Sequence, residues 1–344
     1  MTIRSKSAGS RTAAAFLLAA VAVAGSHLQA HAEDMKAAML LPGSFNDQSW
    51  NAMGYSGLKG IEGLGFTIAV SENVPDSDDA SAMRDYADQG YNIVLGHSGR
   101  FLSAATQVGP DYPEVQFIVG GGAEGMAPNV MSIDYDNAQF GCLLGHLAAK
   151  MSKTGKVGGV YGLEGLANIV AQAGGFRICA MKANPNIEVT LVYLKSMEDA
   201  ASAKEAALSL IADGADVITG KLNAAQSGLI QAAKEKGVFA TGRSLDSTTV
   251  APDSVLVNVL EQWDQMYAAA AEGVKDGKMA GTFVKYGFAT ADKTTGASLN
   301  YNDGAALNPI VPEAVVAEIK ALEAEMASGK FEISPTPQDA RGGK

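Results

Sequence analysis

Short apolar runs alternate along the chain with longer stretches in which apolar positions recur every three to four residues. Strand candidates in the first half are Ala37–Leu41, Phe66–Val70, Ile93–Leu95, Val115–Val119 and Val130–Ile133. They continue with Lys156–Tyr161, Glu188–Tyr193, Val217–Thr219, Val238–Thr241 and Val255–Val259. Helical stretches lie between most of them, among them Ala80–Gln89, Ala138–Met151, Ala201–Ala212 and Ala224–Lys236. Gly90, Gly214 and Gly237 each follow a helix and precede a strand, as helix-ending glycines do. Strands alternating with helices predict α/β architecture, with parallel sheets flanked by helices. Two such units, about 35–130 and about 134–243, predict two similar lobes. Gly-rich or polar breaks at 120–128, 241–252 and 290–309 suit several crossings between lobes, with a cleft between them. The expected assignment gives the N-terminal lobe 33–132 plus about 246–288 and the C-terminal lobe 133–245 plus about 289–333. Residues 334–344 form an unstructured tail in this reading.

The N-terminus changes the compartment. Arg4, Lys6 and Arg11 precede the apolar stretch Ala13–Ala24, and Ala30-His31-Ala32 is a small-x-small cleavage site. Residues 1–32 therefore read as a signal peptide, with a mature protein starting near Glu33 and exported to the periplasm. The net charge is −11, and loss of those three basic residues takes it to −14. Such acidity argues against a nucleic-acid partner or an anionic membrane surface. Cys142 and Cys179 fall on apolar faces of predicted helices and read as buried thiols, with a disulfide as the alternative that export permits. His97 and His146 stand isolated and no zinc-like spacing occurs, so neither metal nor cofactor is expected.

Candidate chemistry concentrates where strands give way to helices, the crevice side of an open parallel sheet. The turn Gly43–Asn51 offers Phe45 and Trp50 as flat apolar surfaces and Asn46, Asp47, Ser49 and Asn51 as hydrogen-bonding groups. Equivalent turns carry His97, Ser98 and Arg100, then Glu164 and Asn168, then Lys221 and Asn223, then Arg243, Ser244 and Asp246. Trp263 follows the last strand candidate, where it lines the cleft or packs in the core. No nucleophile elbow or phosphate-cradling lysine loop is present, and Gly120-Gly121-Gly122 lacks the dinucleotide spacing. These residues suit binding of a planar polar small molecule rather than catalysis.

Together these segments resemble a known family. The run Tyr135–Gly159 is its most distinctive stretch, and Asp47–Asn51, Tyr112–Phe117, Asp213–Val217 and the closing Ile319–Pro335 match in order and spacing. The chain is similar to the basic membrane proteins, substrate-binding proteins of ABC importers that bind purine nucleosides or, in some members, free nucleobases. The resemblance implies a type I periplasmic-binding-protein fold, two lobes that close by hinge motion on a small-molecule ligand, and ABC permease subunits as partners. It puts Trp50 where the family has a base-stacking Phe, with Asp47 and Asn51 at the flanking polar positions.

Three departures accompany the match. The family's Phe-x-x-x-Asp reads Phe117 to Gly121, its Gly-Val-Asp reads Gly242-Arg243-Ser244 with Asp246 two places later, and its Thr-Ser-x-x-Lys reads Val257 to Glu261. Those acid and lysine positions help hold ribose in nucleoside-binding members. Their loss implies a purine-like nucleobase or related planar ligand. In this reading Trp50 stacks on the ring while Asp47, Asn51 and Asp246 read its edge, and Phe45, His97, Ser98, Asn223, Ser244 and Trp263 complete the ligand contacts. A sugar or polyol receptor of the same fold is the rival. A periplasmic nucleoside hydrolase is the alternative from another class, and it would need a carboxylate cluster that the sequence does not display.

Overall fold

The computed structural model describes residues 35–47, 49–123, 127–244, 247–289 and 295–341. The expected signal peptide and Asp246 lie outside the described residues. The strands in the first half are β1 (Lys36–Leu40), β2 (Thr67–Ser71), β3 (Ile93–Gly96), β4 (Gln116–Gly120), β5 (Val130–Tyr135) and β6 (Lys156–Tyr161). They are followed by β7 (Glu188–Tyr193), β8 (Val217–Lys221), β9 (Phe239–Arg243), β10 (Val255–Glu261), β11 (Phe283–Tyr286) and β12 (Ala297–Asn300). The helices are α1 (Trp50–Gly63), α2 (Asp79–Asp88), α3 (Leu102–Val108), α4 (Asn137–Met151) and α5 (Ala167–Ala183). After these come α6 (Ala200–Ala212), α7 (Gln226–Lys236), α8 (Trp263–Lys275), α9 (Glu313–Ala327) and α10 (Pro337–Arg341).

Two six-stranded sheets result, in the orders β11-β5-β4-β3-β1-β2 and β12-β10-β9-β8-β6-β7. Every pairing is parallel except β10 with β12. Helices cover both faces, which is why central strands such as β4 and β5 are buried along their whole length. The ten strand candidates all form strands, with ends shifted by at most two residues. Gly237 ends α7 in the left-handed conformation at φ 63°, as its place after the helix predicts.

The assignment of 246–288 to the first lobe needs correction. β10 lies in the second sheet, whereas α8 returns to pack on α1 and β11 joins the first sheet. The chain therefore crosses between lobes three times: after β5, after β10, and between β11 and β12. Edge strands β11 and β12 are absent from the sequence reading because each has only four residues and largely half-buried positions. Nor is the whole C-terminal tail unstructured. Ala340 of α10 is buried, the Tyr193 hydroxyl donates to the Ala340 carbonyl at 2.7 Å, and Arg341 pairs with Glu164 at 2.9 Å.

Cys142 and Cys179 form a disulfide between α4 and α5, contrary to the reading as free thiols. The reason lies in the glycines of the two helices. A Cβ on Gly141 would collide with the Gln172 carbonyl, and one on Gly145 with the Phe176 carbonyl. A Cβ on Gly175 would likewise strike the Ala138 carbonyl. Without those side chains the helices approach backbone to backbone, and the cysteine Cα atoms come within 4.9 Å, inside disulfide range.

Candidate functional site

A cavity of about 560 Å³ lies between the lobes. Its walls are the loops after the C-terminal ends of β1, β2, β3 and β4 on one side and of β6, β7, β8 and β9 on the other. Ligands bind at this end of parallel sheets, and the volume lies within the range of small-molecule sites.

On the first wall, Trp50 opens α1 with its ring almost fully buried. Three contacts from two neighbours fix it. Its indole N–H donates to the His97 carbonyl at 2.9 Å, the His97 ring stacks on it at 4.1 Å, and Trp263 meets it edge-on at 5.2 Å. His97 is itself locked. A carbonyl can only accept, so His97 Nε2 donates to the Trp50 carbonyl at 3.0 Å and Nδ1 accepts from the Tyr267 hydroxyl at 2.7 Å. Burial pulls the His97 imidazole down to about 3, outweighing the Trp50 hydrogen bond that favours its charged form. The ring is therefore a neutral spacer. A Cβ on Gly54 would run into it, so glycine at that point in α1 lets the helix lie against the histidine.

Asp47 holds the start of the same helix. Oδ1 accepts from the backbone N–H groups of Ser49 and Ala52 at 2.8 and 2.9 Å, and Oδ2 from the backbone and side-chain nitrogens of Asn51 at 2.9 and 2.7 Å. Helix-start N–H groups lack intrahelical partners, and this carboxylate satisfies three of them. Asn51 Oδ1 in turn accepts from Gly43 N–H at 3.1 Å. Asp47 and Asn51 thus spend most of their capacity bracing the turn that carries Trp50.

On the second wall two cations end adjacent strands: Lys221 on β8 and Arg243 on β9, both lining the cleft and both almost wholly buried. Glu261, at the end of β10, is their counter-ion. Its Oε1 accepts from Arg243 Nε at 2.7 Å and from the Tyr135 hydroxyl at 3.1 Å, with Lys221 Nζ at 3.7 Å. Its Oε2 accepts from Trp263 Nε1 at 2.8 Å. Lys221 also donates to the Tyr135 hydroxyl at 2.6 Å. Burial alone would raise the Glu261 carboxyl, but Arg243 and Lys221 outweigh it and hold it down at about 2. Burial, with Arg243 nearby, draws the Lys221 ammonium down to about 8. Behind them, burial pushes Asp134 up to about 7 despite Lys221, and its Oδ2 has no hydrogen-bond partner among the described residues.

Arg243 is almost fully committed to the protein. Besides Glu261 it donates through Nη1 to the Leu222 carbonyl at 2.5 Å and to Asn223 Oδ1 at 3.2 Å. Its Nη2 makes no hydrogen bond among the described residues. Its guanidinium carbon lies over the Trp50 ring, 5.3 Å from the centroid.

Of the expected ligand residues, Asp47, Trp50, Asn51, Ser98 and Asn223 line the cavity. His97 and Trp263, expected to touch ligand, are completely buried behind Trp50. Phe45 stacks on Tyr55 at 4.5 Å and Ser244 is buried at a positive φ of 61°; neither lines the cavity. Met197 and Glu198 line it from the β7–α6 connection, which carries no turn signature that would single it out. The Gly121 departure also has a local cause. Gly121 has φ 72°, and a Cβ there would lie 3.3 Å from the Trp50 ring and 3.4 Å from Asn168 Nδ2. A larger residue would be both strained and crowded.

Two α/β lobes joined by three crossings, with a rigid aromatic at the wall of the cleft, define the class of two-lobed solute-binding proteins. Residues 35–292 match the family described as ABC transporter substrate-binding protein PnrA-like, and the chain belongs to that family. It is 29% identical over 248 residues to transcriptional activator protein med of Bacillus subtilis, covering 72% of this chain and 77% of med. It is 28% identical over 253 residues to a purine-binding protein of Brucella abortus, covering 72% and 71% of the two chains. In fold it is similar to the solute-binding protein of an ABC transporter system from Aeropyrum pernix, with a TM-score of 0.77 at 18% identity over 88% of this chain and 94% of that one. No helix among the described residues is long and apolar enough to cross a membrane.

Proposed function

We propose that the protein is an exported receptor that captures a flat, polar molecule of the purine nucleobase class and delivers it to a membrane permease. The observation that carries this reading is Trp50, an indole fixed by His97 and Trp263 at the wall of a cavity that also carries polar strand-end residues. A fixed aromatic favours planar ligands because little side-chain freedom remains to be lost when the ligand stacks. The purine-binding relative from Brucella abortus supports the same class. Trp50 would stack, while Asn51, Ser98, Asn168, Asn223 and Arg243 would hydrogen-bond the ring's edge. At 5.3 Å, Arg243 lies too close to the Trp50 centroid for a ring to enter between them. Binding therefore needs the lobes to part about their three crossings and then close with Arg243 at the ligand's rim.

Calorimetry on protein stripped of ligand by non-reducing denaturation and refolding tests the reading. Hypoxanthine, adenine, guanosine and ribose should separate, with at least one free base binding more tightly than ribose. Trp50→Ala should weaken base binding by about 1–3 kcal/mol, the scale of an aromatic–base stack. Binding of ribose alone, or an unchanged base affinity in the folded variant, would refute it.

A further inference from the structure

We infer that the ligand presents hydrogen-bond acceptors to this cleft, so that among planar bases the receptor selects oxopurines over aminopurines. The inference rests on the purine-class reading above and adds which purines. It follows from counting the hydrogen bonds that the lining residues still have to give.

The polar side chains buried in the lining are Asn51, Lys221, Asn223 and Arg243, and none is a carboxylate. The carboxylates of the lining are only partly buried or exposed, and each is engaged. Asp47 caps α1, Asp76 pairs with Arg100, and Glu198 accepts from Asn223 Nδ2 at 2.6 Å and from Ala224 N–H at 3.1 Å. Arg100 is engaged as well, through Asp76, Asp79 and the Val74 carbonyl. What remains free is mostly donor, although half-buried Asn168, with no hydrogen bond among the described residues, offers an amide oxygen as well as two amide protons. Arg243 has spent Nε and Nη1 on Glu261, Leu222 and Asn223, which holds the guanidinium in place and leaves the two protons of Nη2 uncommitted. Ser98 Oγ accepts from Arg100 N–H at 3.4 Å and keeps its own proton to donate. Asn51 and Asn223 each retain one amide proton beyond those given to Asp47 and Glu198.

A guanidinium can only donate, and one braced by three protein acceptors cannot turn away from an unsuitable partner. A carbonyl oxygen, or a carbonyl with an adjacent ring nitrogen, satisfies it. An exocyclic amino group sets donor against donor and leaves buried protons unpaired, which costs roughly tenfold or more in affinity. The acid that would answer an amino group is Glu261, and it lies behind Arg243 and is consumed by it.

Calorimetry on the stripped full protein with hypoxanthine, xanthine and adenine decides the matter. Hypoxanthine or xanthine should bind at least tenfold more tightly than adenine. The double variant Arg243→Gln/Glu261→Gln removes one charge of each sign, so the net charge of the buried cluster is unchanged. In that variant, checked for folding by circular dichroism, the ratio should fall toward one. Adenine binding as tightly as hypoxanthine in the native protein would overturn the inference and leave the purine reading standing. A ratio unchanged in the folded double variant would overturn the role of Arg243. No response to any of the three bases would remove the purine reading and this inference with it.

Discussion

Glu261→Gln should destabilise the protein by about 3–5 kcal/mol, the cost of removing one partner from a buried ion pair. The glutamate has no solvent exposure and faces two cations that are themselves buried. Its two oxygens accept from Arg243, Tyr135 and Trp263. Glutamine keeps the shape and one acceptor, but its NH2 would confront either the Arg243 and Tyr135 donors or the Trp263 N–H. The charge on Arg243 cannot be shed, whereas Lys221, already drawn down to about 8, can lose its proton at modest cost. The loss should therefore be larger at pH 6, where Lys221 must stay charged, than at pH 9. Urea titrations followed by tryptophan fluorescence at both pH values measure this, since Trp263 donates directly to Glu261. Adding Lys221→Met to Glu261→Gln should recover 1 kcal/mol or more by removing the surplus cation, a non-additivity expected of contacting residues, on the order of 0.5–3 kcal/mol. A loss below about 1 kcal/mol, or a double variant weaker than the sum of the singles, would refute the compensation argument.

The Asp134 carboxyl titrates near 7 in the folded protein against 3.8 ordinarily, so stability should decline as pH rises between those values. Asp134→Asn should remove that decline, melting like the native protein below about pH 3.8 but stabilised by more than about 1 kcal/mol at pH 8; a less stable variant at pH 8 would contradict it. The Cys142–Cys179 bridge spans 37 residues, a loop whose closure is worth about 4 kcal/mol on the chain-entropy scale. Cys142→Ala/Cys179→Ala should lose most of that, and dithiothreitol should bring the native protein to the same urea midpoint and leave the variant unmoved. Asp47→Ala should cost about 1–2 kcal/mol as a lost helix cap and weaken ligand binding by loosening the turn beneath Trp50. Equal affinity in that variant, measured by calorimetry, would separate the brace from the site.

The sheet was legible wherever a strand is covered on both faces, because burial imposes apolar runs such as Ala37–Leu40 or Phe117–Val119. It was illegible at β11 and β12, whose half-exposed edges leave four-residue segments with no such run. Strand-end loops were found from order alone, which is why Trp50, Asn51, Ser98 and Asn223 lie on the cavity wall. Depth was not found. His97 sits one residue from Ser98, yet their side chains part, one into the core beneath Trp50 and the other into the cleft. Asp47 illustrates a different gap: a short polar residue ahead of a helix reads equally as cap or ligand contact, and only the placement of three N–H groups decides. The disulfide depends on how closely two helices approach. Three glycines set that distance, and their meaning appears only when α4 and α5 are seen face to face.

Tyr135 closes β5, where the chain leaves the first lobe, and Glu261 closes β10, where it returns. Their hydrogen bond joins two of the three crossings, and Arg243, which faces the cleft, is bonded to that same carboxylate oxygen. A transport receptor signals through its shape, since a permease has to tell a shut receptor from an open one. With Arg243 as the proposed ligand contact, almost no distance separates that contact from the joint between the crossings. On the proposed function, a ligand that hydrogen-bonds Arg243 bears on the joint itself through Glu261, with no intervening relay of packed side chains. On that proposal, selectivity and the ease of shutting are tuned by one group of atoms. A change at position 243 is therefore expected, on the same proposal, to alter what the receptor holds and, in the same stroke, how readily it closes when empty.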